Sequence, residues 1–174
     1  MYKAKDESLR SLLFRITEVY GLYDIQSYLI GHNGHWLLRP LWPKRHINLL
    51  DSVSDKELLE LVEKSGLNEP LDLFDFPDQL LYGLESVFGD ECSSVGQRKG
   101  RIPIAFCYSC IHDSISKNGF GYLQSSWLTS SKCVIHKTYL SVLPELPYKT
   151  AIESLRLLLT GRAVSYVKQV DNKI

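Results

Sequence analysis

The sequence predicts an α+β fold, mostly helical, and three observations carry that prediction. Apolar residues recur at helical spacing through most of the first 88 positions, as they do when one face of a helix packs on a core. Periodicity then breaks over residues 89–101, where Gly89, Gly96 and Gly100 alternate with polar and basic residues, the composition of a linker. Beyond it stand Cys107-Tyr-Ser-Cys110 and Cys133-Val-Ile-His136, two clips of matching spacing with 22 residues between them. Two such clips at the base of a short ribbon deliver the four soft or borderline ligands that a tetrahedral zinc ion requires. The expected architecture is therefore a helix-turn-helix-like helical lobe, residues 1–92, followed by a small zinc-ribbon lobe with a C-terminal helix, residues 93–174. Structural zinc is expected rather than catalytic zinc, because protein ligands fill all four positions and leave none for water or substrate. The competing use of these residues is three small core thiols beside a chance histidine.

The elements follow in order. Asp6-Glu7-Ser8 precedes a stripe of Leu9, Leu12, Leu13, Ile16 and Val19, with Arg10, Arg15 and Glu18 off it, which predicts a helix from about Ser8 to Tyr20. Gly21 ends it, and Asp24 caps a second, shorter helix carrying Ile25, Tyr28, Leu29 and Ile30 before Gly31. Two helices across a glycine turn have the form of a helix-turn-helix. A recognition helix offers Arg, Lys, Asn or Gln to base edges, and residues 24–30 offer Gln26 alone. His32 to His46 reads as an aromatic-rich arm, in which His32 and His35 have ligand-like spacing without sulfur or acidic neighbours. Trp36 and Trp42 in that arm are expected to be core or interface anchors.

Ser54-Asp-Lys-Glu57 is a capping box that opens a helix with Leu58, Leu61 and Val62 on one face and Asp55, Glu57, Glu60 and Glu63 on the other, closing at Gly66. Pro77 is expected to start another helix, through Leu80, Leu81, Leu84 and Phe88 to Gly89. Cys92 falls in the linker, outside the zinc spacing, as a free thiol. Ile102 to Phe106 reads as a strand entering the first clip, Gly119 as a hairpin tip, and Phe120 to Trp127 as strands, or a strand and turn, feeding the second clip. Trp127 is expected to pack within the ribbon. Thr150 to Thr160, with Ile152, Leu155, Leu158 and Leu159, forms the closing helix that Gly161 stops.

Composition bounds the function. The chain has 44% hydrophobic and 23% charged residues, ordinary for a folded protein. No apolar run spans a bilayer and the start carries no signal-peptide core, so a cytoplasmic location with reduced thiols is expected. Zero net charge conceals a partition: residues 1–50 carry +3, residues 51–92 carry −10 and residues 93–174 carry +7. Phosphates would repel the acidic segment, which points Asp55, Glu60 and Glu63 toward protein partners. Arg98, Lys99, Arg101, Lys132 and Lys137 in the basic segment are candidates for weak, salt-sensitive nucleic-acid contact. The sequence holds no G-x-x-x-x-G-K-[ST] loop, G-x-S-x-G elbow or H-E-x-x-H helix, and its carboxylates sit on solvated helix faces, so no enzyme is expected. An enzyme using Cys92 or His112 as nucleophile or base lacks a partner motif.

The order of Asp6-Glu7-Ser8-Leu9, Arg15, Gly21-Leu22, Ser65-Gly66-Leu67, Cys107-x-x-Cys110, Trp127 and Cys133-x-x-His136 resembles the TniQ family of transposon targeting proteins. The resemblance spans about residues 6–140, and its zinc half is the more specific. Family members often carry a further cysteine-rich knuckle. No cysteine follows Cys133 here, so the chain resembles a short member with one zinc site. The resemblance implies an adaptor that takes part in choosing the insertion site, linking a target-recognition complex, in some cases an RNA-guided CRISPR complex, to the transposon's AAA+ ATPase. It also implies possible homodimers, with DNA met weakly or through the complex. The reading from a different class is a zinc-containing helix-turn-helix-like DNA-binding regulator.

Overall fold

Ser8 sets the first helix. Its extended backbone and its hydroxyl, which accepts from the Ser11 N–H at 3.2 Å, cap α1, Leu9–Tyr20, and Gly21 closes the helix in the left-handed region at φ 67°. Where the periodicity predicts one buried stripe, the structure buries every residue from Leu9 to Thr17, including Arg10 and Arg15. The helix therefore runs through the core rather than over it.

The computed structural model describes residues 2–66, 87–88 and 100–165, together with the backbone of 168–169. The expected Pro77 helix, except Val87 and Phe88, lies outside the described residues, as do Cys92 and the linker as far as residue 99. After α1 the second expected helix is instead a six-residue 3-10 turn, Tyr23–Tyr28, and a further 3-10 segment covers Lys44–Leu50. The capping box works as the sequence predicts. The Ser54 hydroxyl accepts from the Glu57 N–H, the Glu57 carboxylate accepts from the Ser54 N–H at 3.0 Å, and α2 runs Asp55–Glu63. Then come β1, Ala105–Phe106; α3, Tyr108–Asn118; a 3-10 turn, Ser125–Leu128; β2, Ser141–Val142; α4, Tyr148–Leu159; and β3, Lys168–Gln169. The strands form one antiparallel sheet in the order β1-β2-β3, with Ala105 opposite Val142 and Ser141 opposite Gln169.

The described parts of both expected lobes share one buried cluster. Leu13, Trp36 and Val62 belong to it together with Phe106, Ile111 and Leu155. Backbone pairing stitches the segments as well. Ser8 N–H donates to Leu123 O at 2.8 Å, Ser125 N–H to Asp6 O at 3.0 Å, and Trp36 exchanges hydrogen bonds with Ile102. Arg10 pins three segments at once, donating to the carbonyls of Leu37, Leu38 and Ser65 at 2.7–3.0 Å. Burial pushes its guanidinium down to about 10.

Trp36 and Trp42 are core residues and not surface anchors, at 1% and 0% exposure. The Trp36 ring packs edge-on to Phe14, and the Trp42 indole N–H donates to His46 O at 3.0 Å. Of the two roles expected for these indoles, core and interface anchor, the structure shows the core.

Candidate metal centre

The first clip is built by a helix. Cys107 occupies the N-cap position of α3 with an extended backbone, and Cys110 lies in its first turn, which turns both thiols toward the same side. Gly119 closes α3 in the left-handed region at φ 78°. It is therefore a helix stop where a hairpin tip was expected. Between Phe120 and Trp127 the structure has an isolated bridge at Gln124 and a 3-10 turn that holds the buried Trp127, nearer the strand-and-turn form of the expectation than a pair of strands. The reason is local: eleven residues after Cys107 carry an apolar spacing, Ile111 and Ile115, that suits a helix packed on the core.

The second clip is a tight reversal. Lys132 bridges Tyr139, Cys133 N–H donates to Thr138 O at 2.8 Å, and Lys137 N–H donates back to Cys133 O at 2.9 Å. Closing so short a loop forces a positive φ of 58° on Lys137. The geometry swings His136 back over Cys133, whose sulfur accepts from the His136 backbone N–H at 3.4 Å.

The four side chains converge. Cys110 and Cys133 sulfurs are 3.4 Å apart, and His136 Nδ1 lies 3.6, 3.2 and 3.8 Å from the sulfurs of Cys107, Cys110 and Cys133. All four ligand atoms lie within 4.8 Å of one another. A tetrahedron with metal–sulfur bonds of about 2.3 Å has edges of about 3.7 Å, so the cluster is already sized for one ion. The three thiols are buried and unbridged, and the imidazole is partly covered. Three thiols and an imidazole that close together could hold a metal ion, and this is the only such group among the described residues.

Electrostatics divides the thiols. Burial, the hydrogen bond to Cys133 and the charge of Cys107 push Cys110 far up. Burial works against ionisation of Cys133 too, but donation from the His136 backbone and ring, and from Cys110, outweighs it and brings Cys133 down to about 7. Their surroundings thus favour the thiolate at Cys133 and the thiol at Cys110.

The remaining sequence candidates are scattered. Arg101, Lys132 and Lys137 are exposed, with the Lys132 ammonium 4.7 Å over the Tyr139 ring; Arg98 and Lys99 lie outside the described residues. On α2, Asp55 and Glu63 are exposed, and Glu60 sits 3.8 Å from Lys64. His112 is exposed on α3. His35 is partly covered, and burial lowers its pKa against the pull of Glu145; no metal cluster forms around it or His32 among the described residues. Sequence reasoning missed Asp113, one turn beyond Cys110 on α3, whose carboxylate lies 3.4 Å from His136 Nε2. Its place three residues after a ligand on a helix was the available signal.

Sequence reasoning also missed an apolar groove of about 620 Å³ between α1 and α4, lined by Phe14, Val19, Phe120 and Leu159 among others. No helix among the described residues is long and apolar enough to cross a membrane. No family model, curated protein or solved structure matches the chain.

Proposed function

We propose that the chain is a TniQ-like adaptor in target-site selection for DNA transposition, built around one structural zinc ion held by Cys107, Cys110, Cys133 and His136. The observation that carries the reading is the assembled four-ligand cluster, with all its ligand atoms within 4.8 Å, at the motif positions on which the resemblance rests. Zinc suits three thiolates and an imidazole in a tetrahedron and has no redox chemistry of its own. With every position taken by protein, such an ion supplies folding energy and no catalysis. The Asp6-Glu7-Ser8 motif supports the same reading, since it docks on Leu123–Ser125 beside Trp127 and so joins the two ends of the resemblance.

The adaptor would link a target-recognition complex, RNA-guided or not, to the transposon AAA+ ATPase, with the acidic α2 face toward protein and DNA met weakly. The rival DNA-binding regulator is disfavoured by Gln26, which is buried and donates to Thr17 Oγ1 at 2.9 Å. A side chain so engaged cannot read a base edge. The test is to read the genes beside this one for a transposase and an AAA+ ATPase and, where that ATPase is encoded, to co-purify it with the protein. Zinc-dependent complex formation is expected, and tight binding to one duplex sequence without any such partner would replace the adaptor with the regulator.

A further inference from the structure

His136 can reach a metal through either ring nitrogen, and the structure distinguishes them. Nδ1 is the atom that faces the three sulfurs, at 3.2–3.8 Å. Nε2 points away and meets Asp113 Oδ2 at 3.4 Å. A ligating imidazole is neutral, so its second nitrogen carries a proton that needs an acceptor. Where the acceptor is a carboxylate, it fixes the tautomer and the ring plane and makes the ligating nitrogen more basic.

We propose that Asp113 is the positioning residue of the metal centre: it holds His136 in the Nε2–H tautomer and turns Nδ1 onto the ion. Asp113 is well placed for this because α3 carries both it and Cys110, three residues apart, so one rigid element fixes a ligand and the orienting group of another. Among the described residues the Asp113 carboxylate has no other polar partner. It is also about half exposed, so its replacement disturbs little of the core.

The inference rests on the zinc reading, and the experiment separates the two. Zinc affinity is measured by competition with a chromophoric chelator for wild type, Asp113→Ala and Asp113→Asn, and the side-chain tautomer of His136 is read from ¹H–¹⁵N spectra of the zinc-loaded wild type. Expected are a metal-bound Nδ1 with a protonated Nε2, and an affinity about 10- to 100-fold weaker in Asp113→Ala. The Asn variant, which keeps an acceptor oxygen, should fall between the two. An Nε2-bound metal in wild type, or an Asp113→Ala affinity within about twofold of wild type, overturns the proposal. The spectrum decides even if the Ala variant fails to fold. A wild type that takes up no zinc overturns the metal reading and this one with it.

Discussion

Glu7 and Arg15 are both buried, and their two-pronged contact, at 2.8 and 2.7 Å, is completed by Ser11 Oγ and the Ala4 N–H on the carboxylate. Removing one partner strands the other charge in a medium that cannot solvate it. Glu7→Gln should therefore destabilise the protein by about 3–5 kcal/mol in urea unfolding. Glu18→Gln, at the partly exposed contact with Arg156, should cost about 1 kcal/mol or less. The importance of Glu7 was hidden in the sequence because Glu7 precedes its helix and stands eight residues from Arg15, outside any i,i+4 pattern. The Cys107, Cys110, Cys133 and His136 cluster was legible for the opposite reason, since a metal site restricts both residue type and spacing. Cys107→Ser and Cys133→Ser should each lose the bound zinc on elemental analysis, with unfolding of the α3 region in amide exchange. Protons compete for the same atoms. As pH falls through 7, Cys133 regains its proton and Cys110 already holds one, so zinc affinity should drop by at least about tenfold per pH unit, measured by chelator competition.

The α2 helix shows what an element can and cannot declare. Its capping box and apolar stripe are local, so its start at Asp55 was readable to the residue. The nature of the first clip was not, because C-x-x-C spacing suits a helix start as well as a strand turn. The choice fell to Ile111, buried against Phe106 and its neighbours. The second arm of the expected helix-turn-helix failed likewise, since Ile25 and Leu29 are buried in the core and the segment settles as a 3-10 turn. On α2, Leu61 and Val62 face inward while Asp55 and Glu63 are exposed. Reversing Asp55, Glu60 and Glu63 to lysine should leave zinc content and melting temperature nearly unchanged. If this face meets a basic protein, recruitment in a pull-down should weaken at low salt and the difference should shrink as salt rises. Equal recovery at low salt would make the face a solvated surface.

For the whole molecule, charge partition was plain in the sequence, but its spatial meaning was not. The described parts of the two expected lobes share the cluster that holds Leu13, Val62, Ile111 and Leu155, a merger that no local pattern announces. Of the basic candidates, Arg101, Lys132 and Lys137 are exposed. Binding to a random-sequence duplex should accordingly be weak, and replacing both Lys132 and Lys137 by alanine should lower the slope of log affinity against log salt by up to about 2. A slope unchanged by both substitutions would remove these lysines from any DNA contact.

The pairing of Asp6 and Ser8 with Leu123 and Ser125 also sets a timetable. A chain emerging from the ribosome makes α1 well before Leu123, yet nine of the twelve residues of that helix are buried in the finished protein, and the Ser11 hydroxyl there accepts from the Leu123 N–H, 112 positions on. Phe14 meets Trp36 early, but until Leu123 is made the Ser11 hydroxyl lacks the Leu123 N–H and the Ser8 N–H lacks the Leu123 carbonyl. The nascent chain should spend most of its synthesis as a client for chaperones, and nascent chains stalled before Leu123 has left the exit tunnel should remain protease-sensitive while those stalled beyond the end of α4 resist. Of the described helices, α1 is the first made and among the last to be finished.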